Sequence, residues 1–322
     1  MKKATWIALA SFLVLSLTNC ALARPLARLV CGTSANTGTY YIYGGNWSKV
    51  RNAQVEGVDI ACEVSGGPTK NLQLMANGDV DVGFTTGWMA GEAYAGEGAF
   101  AGNAATNAKA LFPMYSSVMY LYVLADSPVN CLADLEGKHV ATGSPGGTSD
   151  KAARALLKAM GITPRQVSSL TGDTGANAIK DGIVDAGFYV GSAPASYLMN
   201  IETTHKIKFI EISEEEFKKN FEAFPYWTRD VVPAHTYKNQ EKDYSFLSFW
   251  NYAVAREDLD ESLVYDMVKA TFENQKNFVK TDKNFKTTLA ENVSKIVTPL
   301  HPGAYKYYKE IGQAVPENIV PR

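Results

Sequence analysis

A chain of 322 residues, 46% hydrophobic and 20% charged, has ordinary globular composition and enough length for two packed lobes. Its 31 basic and 33 acidic side chains are interspersed and leave a formal net charge of -2. That balance excludes a basic track for a nucleic-acid backbone or an anionic membrane surface.

The first element is a leader. Met1-Lys2-Lys3 supplies a positive start, Ala4 to Leu17 is a short apolar run, and Ala21-Leu22-Ala23 is an A-x-A cleavage pattern. This predicts a secretory signal over 1–23, a mature chain from Arg24 and a periplasmic location. The run is shorter than the roughly 20 residues a spanning helix needs. The minor alternative is a lipoprotein acylated at Cys20. Beyond the leader, Cys31, Cys62 and Cys131 fit no C-x-x-C spacing. Cys31 and Cys62 fall in predicted strands and read as small buried residues.

After the apolar Leu29-Val30-Cys31 comes the glycine-rich turn "GTSANTGTYYIYGG" from Gly32. Thr39 is the expected cap of a helix over 40–51 whose stripe is Tyr43, Trp47 and Val50. A strand is expected over 58–64, then a turn at Ser65-Gly66-Gly67 and a helix from Pro68 to Gly78. Val80 to Phe84 is the next strand. The same order recurs with "ATGSPGGTSDKAARALLKAMG", where Thr148 or Ser149 is the expected cap and Gly161 the stop. It continues through Thr171-Gly172, Asn177 and the strand Gly182 to Phe188. Two related βαβαβ cores follow, each a parallel sheet with right-handed crossovers, and both glycine turns should open on one crevice. "MYLYVLADSP" and "FLSFWNYAVARED" read as strands near the lobe boundary. Lobe one is therefore expected over 24–125 plus 233–322 and lobe two over 126–232, with helices after Leu259 packing on lobe one. Two chain crossings make a hinge.

These stretches carry a resemblance. Gly32-Thr33 with Thr37-Gly38-Thr39-Tyr40-Tyr41, Glu63-Val64-Ser65-Gly66-Gly67, Asn71-Leu72, "GSPGGTSDKAARALLKAMGI", "IVDAGFYVGSAP" and "PLHPGAYKYYKE" resemble, in this order, the TAXI family of solute receptors. That family serves TRAP (tripartite ATP-independent periplasmic) transporters. The resemblance covers essentially the whole mature chain. It implies an α/β, class II periplasmic-binding-protein fold, with two lobes around a ligand cleft. It also implies that the chain passes a small carboxylate (glutamate, glutamine, 2-oxoglutarate or similar) to integral-membrane permease subunits; the chain is further expected to be a monomer, to need no cofactor and, with no H-E-x-x-H spacing or G-x-S-x-G elbow, not to be an enzyme. One departure concerns the pocket: many relatives carry Gln-Ser-Asp after the first V-D-x-x-F strand, where this chain has Thr85-Thr86-Gly87-Trp88.

The residues point to an anion independently. Two helix N-termini, one per lobe, present unpaired N–H groups and a positive dipole end. The glycine turn lacks the lysine of a phosphate loop and supplies tyrosines, which suits a carboxylate. Hydroxyls of Thr33, Thr37, Tyr40 and Tyr41 in lobe one, and of Ser144, Thr148 and Ser149 in lobe two, are the candidate donors. Gly67 and Gly147 are expected to let the backbone approach the ligand, and Asn71 and Thr85 to reach the crevice. Trp88 and Tyr189, which follow matched strands, are candidates for an aromatic wall. Asp81 and Asp185 read as structural caps or turn formers, and Arg154 as solvated or paired on the surface. His139, His205, His235 and His301 are scattered without metal spacing and read as loop or surface residues. No metal site is expected. Rival readings are a periplasmic enzyme on a binding-protein scaffold, or a surface antigen with a vestigial cleft.

Overall fold

The computed structural model describes residues 26–36 and 38–321. The expected signal over 1–23, its cleavage site and Cys20 lie outside the described residues, as does Thr37. Chain order begins with β1 (Ala27–Gly32), α1 (Thr39–Gln54), β2 (Val58–Glu63), α2 (Pro68–Ala76), β3 (Val82–Thr86), α3 (Gly87–Ala95) and β4 (Ala108–Leu124). It continues with β5 (His139–Ala141), α4 (Thr148–Met160), β6 (Gln166–Ser168), α5 (Gly172–Lys180), β7 (Ala186–Gly191) and α6 (Ser196–Glu202). After β8 (Ile207–Phe209), α7 (Glu214–Ala223) and β9 (Thr228–Val232) come β10 (Tyr244–Arg256), α8 (Glu261–Glu273), α9 (Gln275–Thr281) and α10 (Pro302–Glu310).

The strands form one sheet in the order β2-β1-β3-β10-β4-β7-β5-β6. Read inward from either edge, the order is second strand, first strand, third strand, then a long antiparallel one. In lobe one β1 pairs in parallel with β2 and β3, and β3 meets β10 antiparallel. In lobe two β5 pairs in parallel with β6 and β7, and β7 meets β4 antiparallel. The two crossing strands, β4 and β10, pair with each other. The second half of β4, from Val118 on, pairs with β7 and β8, and the first half of β10 pairs with β9.

The sequence repeat has a structural counterpart in its aspartates. Asp81 accepts a 2.8 Å hydrogen bond from the Val30 N–H, and its own N–H donates to the Val30 carbonyl. Asp185 does the same to His139, also at 2.8 Å. Each carboxylate thereby ties the start of the third strand of its lobe to the first. The asparagines do not correspond: Asn71 is fully buried and Asn177 is exposed.

Several local expectations shift. Gly38 and Gly147, not Thr39 and a Thr148/Ser149 hydroxyl, are the N-caps, so both helices begin at the threonine. β4 starts at Ala108, eleven residues before Met119, and carries Pro113 opposite Tyr252 beside a break in register. A bulge is where a sheet tolerates a residue without an N–H. His139 and His301 are buried, against the surface reading: His139 bridges the Ile183 carbonyl and Ser168 Oγ, and His301 caps α10 by accepting from Gly303 N–H. Cys31, Cys62 and Cys131 are all free, with Cys31 buried and directly opposite Cys62 in the β1–β2 register.

The C-terminal helices pack on α1. Trp47 Nε1 donates to Thr271 Oγ1 at 3.0 Å, and Tyr43 stacks on Phe285 with ring centres 3.8 Å apart. Among the described residues no helix is long and apolar enough to cross a membrane.

Candidate functional site

The parallel strands of each lobe end in glycine loops that feed helix N-termini, and these loops meet across a cleft of about 650 Å³. Three glycine-capped helix N-termini reach it, those of α1, α2 and α4, with Gly38, Gly67 and Gly147 as N-caps. Among the described residues none of the three has a side-chain cap hydrogen bond. First-turn N–H groups mostly have no partner inside a helix, so such ends present backbone donors and a positive dipole end to the cavity. Gly67 must be glycine because its φ is 88°. In lobe two, Gly143 has φ 85°, and a Cβ there would lie 2.8 Å from the Ser149 Cβ.

A buried carboxylate holds the lobe-two loop in shape. Asp150, 7% exposed, accepts from Thr142 Oγ1 at 2.5 Å, Gly146 N–H at 3.0 Å, Ser169 Oγ at 2.9 Å and Arg154 Nε at 2.8 Å. Burial pushes this carboxyl up, but the four donors together outweigh it and hold the pKa below its ordinary value of 3.8. Arg154 is thus paired rather than pointed at the cleft. Ser149 faces the cleft and accepts the Val190 N–H at 2.9 Å, joining α4 to β7.

The crossing strands supply the cleft's floor. Asn251 of β10, 1% exposed, donates to the Tyr115 carbonyl and to Ser117 Oγ at 2.7 and 2.8 Å, while its Oδ1 accepts from Tyr40 Oη at 2.5 Å. Burial pushes the phenols of Tyr40, Tyr115 and Tyr189 up, so they remain neutral donors at physiological pH. On the lobe-two side Tyr189 stacks on Tyr197 with centroids 4.9 Å apart at 12°, and Tyr197 Oη lies 3.0 Å from Tyr122 Oη.

Of the residues singled out from sequence, Tyr40, Gly67, Ser144, Gly147, Thr148, Ser149 and Tyr189 line this cleft. Five others do not. Thr33 is fully buried, its hydroxyl donating to the Glu63 carbonyl at 2.6 Å. Tyr41 turns outward at 38% exposure because α1 points Tyr40 inward. Thr85 is sealed inside β3. Asn71 is an internal clamp: its amide donates to the Thr33 and Phe84 carbonyls, both at 2.8 Å, and its Oδ1 accepts from Ser65 Oγ. Gly32 is what admits it, since a Cβ there would come within 2.6 Å of Asn71 Oδ1. Trp88 packs in α3 against Phe224, Trp227 and Phe249 at 5.2 to 5.9 Å, with its indole N–H on Glu92.

Sequence reasoning missed Tyr115, Ser117, Asn251 and Tyr197. A signal existed for two of them: Ser117 and Asn251 are polar residues inside long apolar strands, and a buried polar group needs a reason.

Comparisons with solved structures agree on the fold. A TctC solute binding protein from Polaromonas superposes with a TM-score of 0.52 at 14% identity, covering 91% of this chain and 99% of that one. A Xanthomonas citri protein bound to ATP gives 0.52 at 13% identity, over 88% of this chain and 95% of the other. A Streptococcus mutans structure concerned with glutathione import gives 0.51 at 12%, over 82% and 97%. At these identities the likeness establishes the two-lobed α/β periplasmic-binding-protein fold. The sequence pattern of the NMT1-like family runs through residues 31–312, most of the described structure, and the chain belongs to that family.

Proposed function

We propose that this protein is an extracytoplasmic solute receptor that captures a small organic carboxylate between its lobes and delivers it to an integral-membrane TRAP permease. The finer assignment, to the TAXI receptors, comes from the sequence resemblance. We divide the lobes at 24–125 plus 233–322 and 126–232. The observation that carries the reading is the convergence of three glycine-capped, side-chain-free helix N-termini on one cleft whose described lining residues include no charged side chain. Such a site attracts an anion through N–H and O–H donors rather than through a guanidinium clamp. Charge-assisted hydrogen bonds contribute on the order of 1.5 to 3 kcal/mol each, and micromolar affinity requires about 8 kcal/mol net, so four or five contacts suffice.

The test is a thermal-shift screen of C4 and C5 mono- and dicarboxylates set against inorganic phosphate and ATP. ATP belongs in it because one protein of like fold is described as bound to it. A ligand at a hundredfold its Kd stabilises by about 2.7 kcal/mol. Stabilisation by a carboxylate, with compaction in small-angle scattering, is the expected result. Response to phosphate compounds alone, or to neither class, overturns the reading.

A further inference from the structure

We propose that the cleft selects a monocarboxylate with a flat, apolar tail and discriminates against ligands that carry an α-ammonium group or a second carboxylate. The proposal rests on the carboxylate reading of the same cleft and names the ligand class within it.

Two sides of the cleft differ in chemistry. The glycine loops at Gly38, Gly67 and Gly147 present backbone donors. Beside the Gly147 loop, which Ser149 ties to β7, Tyr189 of β7 and Tyr197 of α6 stack on one another, half-buried, with Tyr122, Leu170 and Ala195 in the same lining. These five belong to, or pack on, the aromatic core cluster that contains Tyr120, Phe209 and Phe246. A ligand that fills both sides is amphiphilic: an anion at one end and a surface suited to offset stacking or edge contact with phenol rings at the other.

The second half of the argument is charge. An α-amino acid brings an ammonium that loses its water on lobe closure and needs an anionic or strongly accepting partner. Among the described residues lining the cleft there is no Asp or Glu. The nearest carboxylate in the loop, Asp150, already accepts from four donors. A tail carboxylate would need a second set of backbone donors of its own, because the described lining also holds no Lys, Arg or His. Lys151, in the first turn of α4, spends its ammonium on Thr69 Oγ1 at 2.7 Å. The aromatic wall would then have to solvate a second negative charge with neutral phenols.

Calorimetry on the full mature protein tests this with four matched probes: 3-phenylpropanoate, phenylalanine, glutarate and butyrate. Phenylalanine adds the ammonium, glutarate exchanges the ring for a carboxylate, and butyrate removes the flat tail. The expected order places 3-phenylpropanoate roughly tenfold or more ahead of each of the others, from ring contact and avoided burial of charge. In Tyr197→Leu the advantage of 3-phenylpropanoate over butyrate should shrink by about fivefold, and Tyr197→Phe should retain it. Phenylalanine or glutarate binding as tightly as 3-phenylpropanoate overturns the proposal while leaving the carboxylate receptor standing. Binding of none of the four, nor of any acid in the wider screen, removes both.

Discussion

Asp150 offers a direct measure of how the lobe-two loop is held. In Asp150→Asn the shape is kept, but the amide places an N–H where the carboxylate accepted one from Gly146, and the remaining oxygen accepts without charge assistance. Three neutral donors, from Thr142, Gly146 and Ser169, lose a charged acceptor. At about 1 kcal/mol net for each, the substitution costs roughly 3 kcal/mol. The Arg154 pair adds little because that side chain is 49% exposed. For a chain of this size roughly 3 kcal/mol corresponds to a fall in Tm of about 6 °C. The pH dependence follows from the depressed pKa. The ionised form is favoured in the folded state, so the stabilisation is fully present above the ordinary value of 3.8 and is lost as pH falls through the lower folded value. Urea denaturation of both proteins from pH 8 down to pH 3 should therefore give a constant gap to about pH 4 and a narrowing one below it. No gap at neutral pH, or a gap that persists undiminished at the acid end, would refute the assignment of Asp150 as the loop's anchor.

Asn71→Ala should lower stability by about 2 to 4 kcal/mol in chemical denaturation, since it strands two buried carbonyls, and unchanged stability with weakened binding would show a ligand contact instead. Arg51 is fully buried, its Nε has no hydrogen-bond partner among the described residues, and burial pushes its pKa down to about 10. Arg51→Met is therefore expected to leave Tm equal or raise it, and a loss above about 2 kcal/mol would contradict that. Lys151→Gln cuts a bond between α4 and α2 that crosses the proposed lobe boundary. Small-angle scattering of the ligand-free variant should give a larger radius of gyration than wild type, and an identical profile would show that the bond does not restrain the lobes.

Local chemistry was written plainly in the sequence. Strand–glycine turn–helix punctuation located β1, α1 and α4 because glycine, proline and threonine act on their own backbone, and the recurring V-D-x-G-F stretches announced two related cores whose Asp81 and Asp185 play matching parts, although β3 and β7 start two and four residues later than the expected strands. The glycine loops belonged to the cleft for the same local reason, since they terminate parallel strands. What side chains do at the end of those loops was decided by tertiary packing. Asn71 and Trp88 follow the right strands and turns, yet one is drawn inward by two carbonyls and the other by Phe224, Trp227 and Phe249, distant in sequence. Asn251, Ser117 and Tyr115 enter the cleft only because β4 and β10 cross side by side beneath it. A periodicity marks the face a residue occupies on its own element, but which cavity that face meets depends on partners more than a hundred residues away.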